Sequence, residues 1–589
     1  MYLKKSVSNG KIYLSFVQGY RQNGKVKQKT VEKLGYLEDL QKLYDNPVEH
    51  FRNVAKERSL VPEEVLSIDV TKHLADHTDT RKNLGYVIPK RVYSLLGINT
   101  FFQNKQKYLD IDYNLNKIFS LLIFNRFLFP SSKKKAYDTR NIFFETYDFS
   151  LDDVYRSLDY FSQYSEALQK FLYSQVRSHV KVDNQLGYYD VTNYYFEIPY
   201  ADEDEYDKDG NMIKRGFREK GPSKEHRPDP IVQMGLLMDS KGIPLAFNTF
   251  AGNESEKTSL LPIIRRIKKD YGMERIIAVA DRGLNTSDNT AFLAGVNDDN
   301  SKGHDGYVYG QSVLGADKEF KAWVLSQEGY SRTKETDKNG EEVLFTHKSR
   351  IYAKTIQLKN QKEKRTLKMI IYQKQMVYYS KKYADKQKKD RERVLTKARD
   401  MIRNPTNYTR ATSYGAAGYV KNIKFVKGTG EIANGLELSL NLEKISEEEQ
   451  YDGYYSIVTS EKHMSDKQMR DVYRGLWEIE ESFKIIKSEF KARPVYLKLE
   501  AHINAHFLIC FVTLLIMRVL EHMTSEKFTV KDIRKSLINY SCSHLEQNYY
   551  LFDYRDDCLI AMEKTFQLDL SKKYMTTAEI KKILQLKNN

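Results

Sequence analysis

Two runs of β-branched and aromatic residues in this chain each carry one aspartate, and that pairing restricts the folds open to it. The first is YYDVTNYYFE, with Asp190 near its start; the second, RIIAVADRGL, ends its apolar stretch on Asp281. Both have the composition and length of strands. Between them, PIVQMGLLMDSKGIPLAFNTF predicts two further strands about the turn Ser240-Lys241-Gly242, and Lys257 to Tyr271 predicts a helix. Strands followed by a helix and another strand make a mixed α/β sheet. Asp190 alternates with Tyr189 and Val191, so it faces away from whatever those two bury. An acid in so apolar a strand is satisfied either by a metal ion or by buried hydrogen bonds. Asp281 falls at the C-terminal end of its strand, where ligand sites of α/β sheets collect.

A third acid stands on a helical pattern. Ser465 with Gln468 predicts a capping box, and Met469, Val472, Leu476, Ile479, Phe483, Ile486 and Phe490 follow at alternating spacings of three and four. Tyr473, Glu480 and Lys487 are seven apart and run in one line beside that stripe. A carboxylate and a cation on the margin of a buried face suit a site; the bland alternative is an exposed, salt-bridged flank. Glu478 and Glu481 project elsewhere, which singles out Glu480.

The rest of the chain sets the context. KIYLSFVQGY and VKQKTVEKLG flank Asn23-Gly24 and predict an N-terminal hairpin. Residues from about 85 to 180 are helical in pattern, with Pro130 closing NLNKIFSLLIFNRFLF and the basic cluster Lys133 to Lys135 just beyond. From about 300 to 455 short strand-like runs alternate with charged turns, and Lys381 to Arg403 is a basic stretch that reads as a solvated helix face or a DNA-tracking surface. FLICFVTLLIMRVL (507–520) is shorter than a membrane span and contains Arg518, so it predicts a buried core helix. The three cysteines form neither a disulfide framework nor a zinc pattern, and the start shows no secretory h-region. A soluble cytoplasmic protein is expected. The formal charge of +16 favours a polyanionic partner without naming it. His502 and His506 have zinc-helix spacing without a third ligand and read as structural or DNA-proximal; Trp323 and Trp477 read as core, with stacking on a flipped base as the alternative.

Taken in order, YYDVTNYYFE, GPSKEHRPDPIVQMGLLMDSKGIPLAFNTFAGNESEKTSL, IIAVADRGLNTSDN and YRGLWEIEESFKIIKSEFKARPVYL resemble the bacterial insertion-sequence transposases of the DDE class. The resemblance is to the subgroup whose third acid lies in a Tyr-x2-Arg-x3-Glu-x6-Lys signature. It extends over roughly residues 185 to 520, with Lys224 to Asp229, Gly252-Asn253 and the DRGL turn as further landmarks. It implies that Asp190, Asp281 and Glu480 are the catalytic, metal-binding acids, and that Tyr473 and Lys487 contact DNA. Leu476 stands where the signature has Arg; Arg474 is the nearest substitute, and Lys484 is a further DNA-binding candidate.

The implied architecture is α/β: an RNase H-like core interrupted by a strand-rich insertion, since about 200 residues separate Asp281 from Glu480, far more than a crossover needs. The expected divisions are an N-terminal β-hairpin region (1–45), a helical DNA-binding region (46–184), the first part of the core (185–299), the insertion (300–460), the second part of the core (461–530) and a C-terminal tail (531–589). The resemblance further implies metal-dependent cleavage at transposon ends and strand transfer into target DNA. Two Mg2+ ions are expected, with Mn2+ able to substitute, and a homodimer pairing the transposon ends by their inverted repeats, in the bacterial cytoplasm at the nucleoid and without a membrane partner. An RNase H-like nuclease and a catalytically inactive DNA-binding regulator are the alternatives.

Overall fold

The computed structural model describes the chain except residues 9, 23–24, 60–70, 72, 74, 77, 184, 223–226, 296–304, 337–339, 341, 361–364, 414, 434, 436, 546–547 and 586–589. It divides into two units, residues 1–79 with 545–549, and residues 80–544 with 550–589. The first unit is a three-stranded antiparallel sheet of β1 (Tyr2–Ser8), β2 (Lys11–Gln22) and β3 (Lys25–Tyr36), with helix α1 (Pro47–Ser59) packing Phe51 edge-on against Phe16. Gln22 pairs with Lys25, as a two-residue hairpin requires; the Asn23-Gly24 turn itself lies outside the described residues.

The second unit is built on a nine-stranded mixed sheet. Its strands in chain order are β4 (Leu186–Tyr195), β5 (Ile231–Met238), β6 (Pro244–Ala251), β7 (Ile277–Ala280), β8 (Gly306–Gln311), β9 (Ser331–Thr336), β10 (Glu342–Asn360), β11 (Arg365–Tyr379) and β12 (Tyr454–Thr459). In space they run β9-β10-β11-β12-β8-β7-β4-β5-β6. Strand β7 is parallel to both β4 and β8, and the remaining neighbours are antiparallel. The strands of the 300–460 segment therefore continue the same sheet.

Strand β5 is buried throughout because both faces are covered. Val232, Met234, Leu236 and Met238 join one core, which also holds helices α2 (Leu115–Leu128) and α3 (Leu151–Gln163); Leu237 points the other way, to Ile263, Ile264 and Ile267 of α5 (Leu260–Tyr271), which follows α4 (Ser165–His179). The basic stretch forms α6 (Lys381–Arg403).

The pattern beginning at Ser465 predicts one helix, but the structure breaks it into α7 (Asp466–Arg474) and α8 (Trp477–Lys484), followed by a π-helical turn, Ile485–Glu489. The cause is local. The Tyr188 hydroxyl donates to the Val472 carbonyl at 2.9 Å, and the Leu476 amide turns to Tyr473 O instead. The ring enters at Gly475, where a Cβ would lie 2.4 Å from that hydroxyl. The apolar run near the C-terminus belongs to α9 (Glu500–Met523), which at 24 residues is longer than its core of FLICFVTLLIMRVL suggests. It is long and apolar enough to cross a membrane, yet it lies buried in the same core as β5.

Candidate active site

One face of β4 organises the site. Tyr189 and Val191 turn into the α5 core, so Tyr188, Asp190, Thr192 and Tyr194 line the opposite face, beneath α7, α8 and the π turn. Tyr188 holds the helix break. Asp190 and Thr192 open onto a cleft of about 480 Å³ shared with Glu480, Phe483, Lys484, Lys487, Ser488 and Arg493. The Lys487 ammonium donates to the Thr192 hydroxyl at 2.6 Å and stands 5.5 Å from the centre of the Tyr194 ring. Glu480 and Lys487 thus stay on the line that the sequence spacing predicts, and that line is laid over β4.

Asp281 arrives from the neighbouring strand. Parallel pairing sets Val279 opposite Tyr188 as the last pair of that ladder, so Asp281 and Asp190 each stand two residues beyond it on adjacent strands. Ile277 and Val279 share the Tyr188 cluster, so Asp281 lies on the same face. There it caps a short 3-10 turn, Arg282–Leu284, accepting the Gly283 amide at 2.8 Å and leaving the carboxylate exposed. Tyr473 lies within electrostatic reach of both Asp281 and Glu480. Burial pushes its hydroxyl well above the ordinary range, and the carboxylates of Asp281 and Glu480 push it further. Its ring fits against β8 because residue 310 is glycine; a Cβ there would lie 2.4 Å from the Tyr473 hydroxyl.

Among the described residues, no three His, Cys, Asp or Glu side chains form a ready-made metal cage. Asp190 and Glu480 share one cleft, whose lining does not include Asp281; carboxylate oxygens of this kind suit a hard divalent cation that keeps part of its water shell. His502 and His506 do not converge: His502 faces Asp159 at 3.4 Å, and His506 is buried beside Lys133.

The other predicted DNA contacts divide between two clefts. Lys484 lines the acids' cleft and pairs with Glu481 at 3.3 Å. Arg474 lines a different cleft of about 1190 Å³ with Arg332, Lys334, Lys381, Lys382 and Lys467, beside Tyr378. Leu476 is half-buried between two apolar clusters. Trp323 packs as predicted, on Phe320 and under Lys348 and Arg350, whereas Trp477 is 50% exposed, because it is the first residue after the helix break and lies off the buried stripe. Thr192 and Arg493 escaped the sequence reading. Thr192 was findable two places beyond Asp190; Arg493 carries no local signal.

Residues 3–63 match the family model of the IS1634 family transposase N-terminal domain, and residues 341–516 match the transposase DDE domain. The two matches support an insertion-sequence DDE transposase. The second match takes in Tyr473, Glu480 and Lys487, while Asp190 and Asp281 precede it and are linked to it through the sheet. No curated protein matches the chain. This transposase binds transposon DNA, cleaves and joins it, and depends on a divalent metal.

Proposed function

We propose that Asp190, Asp281 and Glu480 are the acids that hold the divalent ions, and that the ions are Mg2+, with Mn2+ able to replace them. The observation that carries this reading is the meeting of Asp190 with Glu480 on one cleft, beside a lysine that bonds to a strand 295 residues away in sequence. When bound, two such ions supply an activated attacking oxygen and charge neutralisation at the leaving oxygen. The protein's own groups do the rest. Lys487, already on the floor of the cleft, offers its ammonium to a non-bridging phosphate oxygen. Tyr473 stays protonated and donates beside Asp281 and Glu480. Lys484 on the cleft wall, and Arg474 in the adjoining basic cleft, hold the DNA backbone further out.

In this reading β6-β5-β4-β7-β8 is the RNase H-like core, three antiparallel strands followed by two parallel ones. The core then extends to β8, and the insertion comprises the strands from β9 to β12 with α6. The helical 46–184 region contributes to DNA binding. The 3′ end freed by hydrolysis attacks target DNA in the same cleft, and two copies pair the transposon ends in the bacterial cytoplasm, at the nucleoid. Asp190→Ala tests the assignment: cleavage of a duplex carrying the inverted repeats that flank the gene should disappear while binding persists. Unchanged cleavage would overturn it.

A further inference from the structure

We infer that Arg493 supplies the guanidinium for the scissile phosphate, in place of the signature arginine that this chain lacks. The inference rests on the carboxylate assignment above. Leu476, at the signature position, packs between two apolar clusters, and Arg474 lines the other cleft. Arg493 instead lines the acids' cleft with Asp190, Glu480 and Lys487, and its guanidinium carbon is 5.6 Å from the centre of the Tyr195 ring on β4. A guanidinium fork matches two phosphate oxygens at once, which an ammonium cannot do.

The loop that carries Arg493 is held to an unusual degree. Its three preceding carbonyls all accept from buried donors. Arg126 Nη1 donates to Phe490 O at 2.9 Å and to Lys491 O at 3.2 Å, and His506 Nε2 donates to Ala492 O at 3.0 Å. Because that imidazole nitrogen faces a carbonyl it carries the proton, so Nδ1 accepts from the Lys133 ammonium at 2.7 Å. On the helical side, Arg534 pairs with Glu489 at 2.7 Å. Lys491 is kept at φ +44, a backbone region that an L-residue holds only when its surroundings insist. Burying Arg126, Lys133 and His506 together is costly, and what they achieve in common is one fixed course for residues 490–493. A preorganised donor stabilises developing charge far better than a mobile one.

The test is single-turnover cleavage by the full chain at saturating flanking-repeat duplex with Mg2+. Arg493→Ala should slow cleavage on the order of 100-fold with duplex affinity changed less than about threefold. Added guanidinium ion should restore part of the rate to Arg493→Ala and none to Lys487→Met, while Arg493→Lys should fall between wild type and Ala. A near-normal rate in Arg493→Ala overturns the inference, as does a slow variant that guanidinium does not rescue, since that loss would be structural. Asp190→Ala in the same assay separates the two readings: if it cleaves, the carboxylate assignment fails, and if it is dead while Arg493→Ala is normal, only the arginine inference fails.

Discussion

Replacing Lys133 with Met should change how stability depends on pH, and by a calculable amount. Lys133 is 6% exposed, and burial first, then the neighbouring Arg126, bring its ammonium down to about 7 from 10.5. The groups that face it stay fixed through the neutral range: burial and the two cations hold His506 neutral, and burial raises the Cys510 thiol. In the unfolded chain Lys133 keeps its proton up to its ordinary value. Unfolding above about pH 7 therefore takes up a proton, and stability rises with pH from there toward 10.5. From pH 7 to 9 the gain is two units at about 1.4 kcal/mol each, less the half-titration already present at pH 7, or about 2 kcal/mol. In a unit of about 500 residues, an unfolding entropy of about 2 cal/mol/K per residue turns this into a Tm rise of about 2 °C. Thermal unfolding followed by circular dichroism at both pH values, in wild type and Lys133→Met, measures it. Every other titrating group contributes to both proteins and cancels in the difference. If the two Tm values move in parallel between pH 7 and 9, the reasoning about Lys133 is refuted.

Three further outcomes are expected. Lys487→Met should lower single-turnover cleavage on the order of 100-fold and reduce the salt slope of end-DNA binding by about 0.9, as one lost phosphate contact requires; an unchanged slope would show that Lys487 meets no phosphate. Gly475→Ala should cost about 1–3 kcal/mol and slow cleavage, because its Cβ would meet the Tyr188 ring that sets the break before Glu480; a wild-type melting curve would contradict this. Chelation should abolish cleavage and added Mg2+ restore it, and activity that survives chelation would exclude the carboxylate mechanism.

The sequence by itself determined the strands, the strand face that Asp190 presents, the capped helix start at Ser465 and the placing of Glu480 and Lys487 on one side of their helix. Each of these follows from a period of two or 3.6 residues and needs only near neighbours. The order of the sheet was beyond its reach. Nothing local tells β7 to lie parallel to β4, which brings the strands of Asp281 and Asp190 side by side, or tells β9 to β12 to extend the same sheet. Nor could helical spacing reveal that Tyr188, from a distant strand, breaks the helix at Gly475. The buried clamp of Arg126, Lys133 and His506 was hidden for the same reason. In sequence Lys133 reads as part of a surface basic cluster, and only packing against a helix 373 residues away makes it a buried donor. Periodicity decided which residues share a face; contacts between distant segments decided which faces meet, because burial against a partner has no signature in the partner's absence.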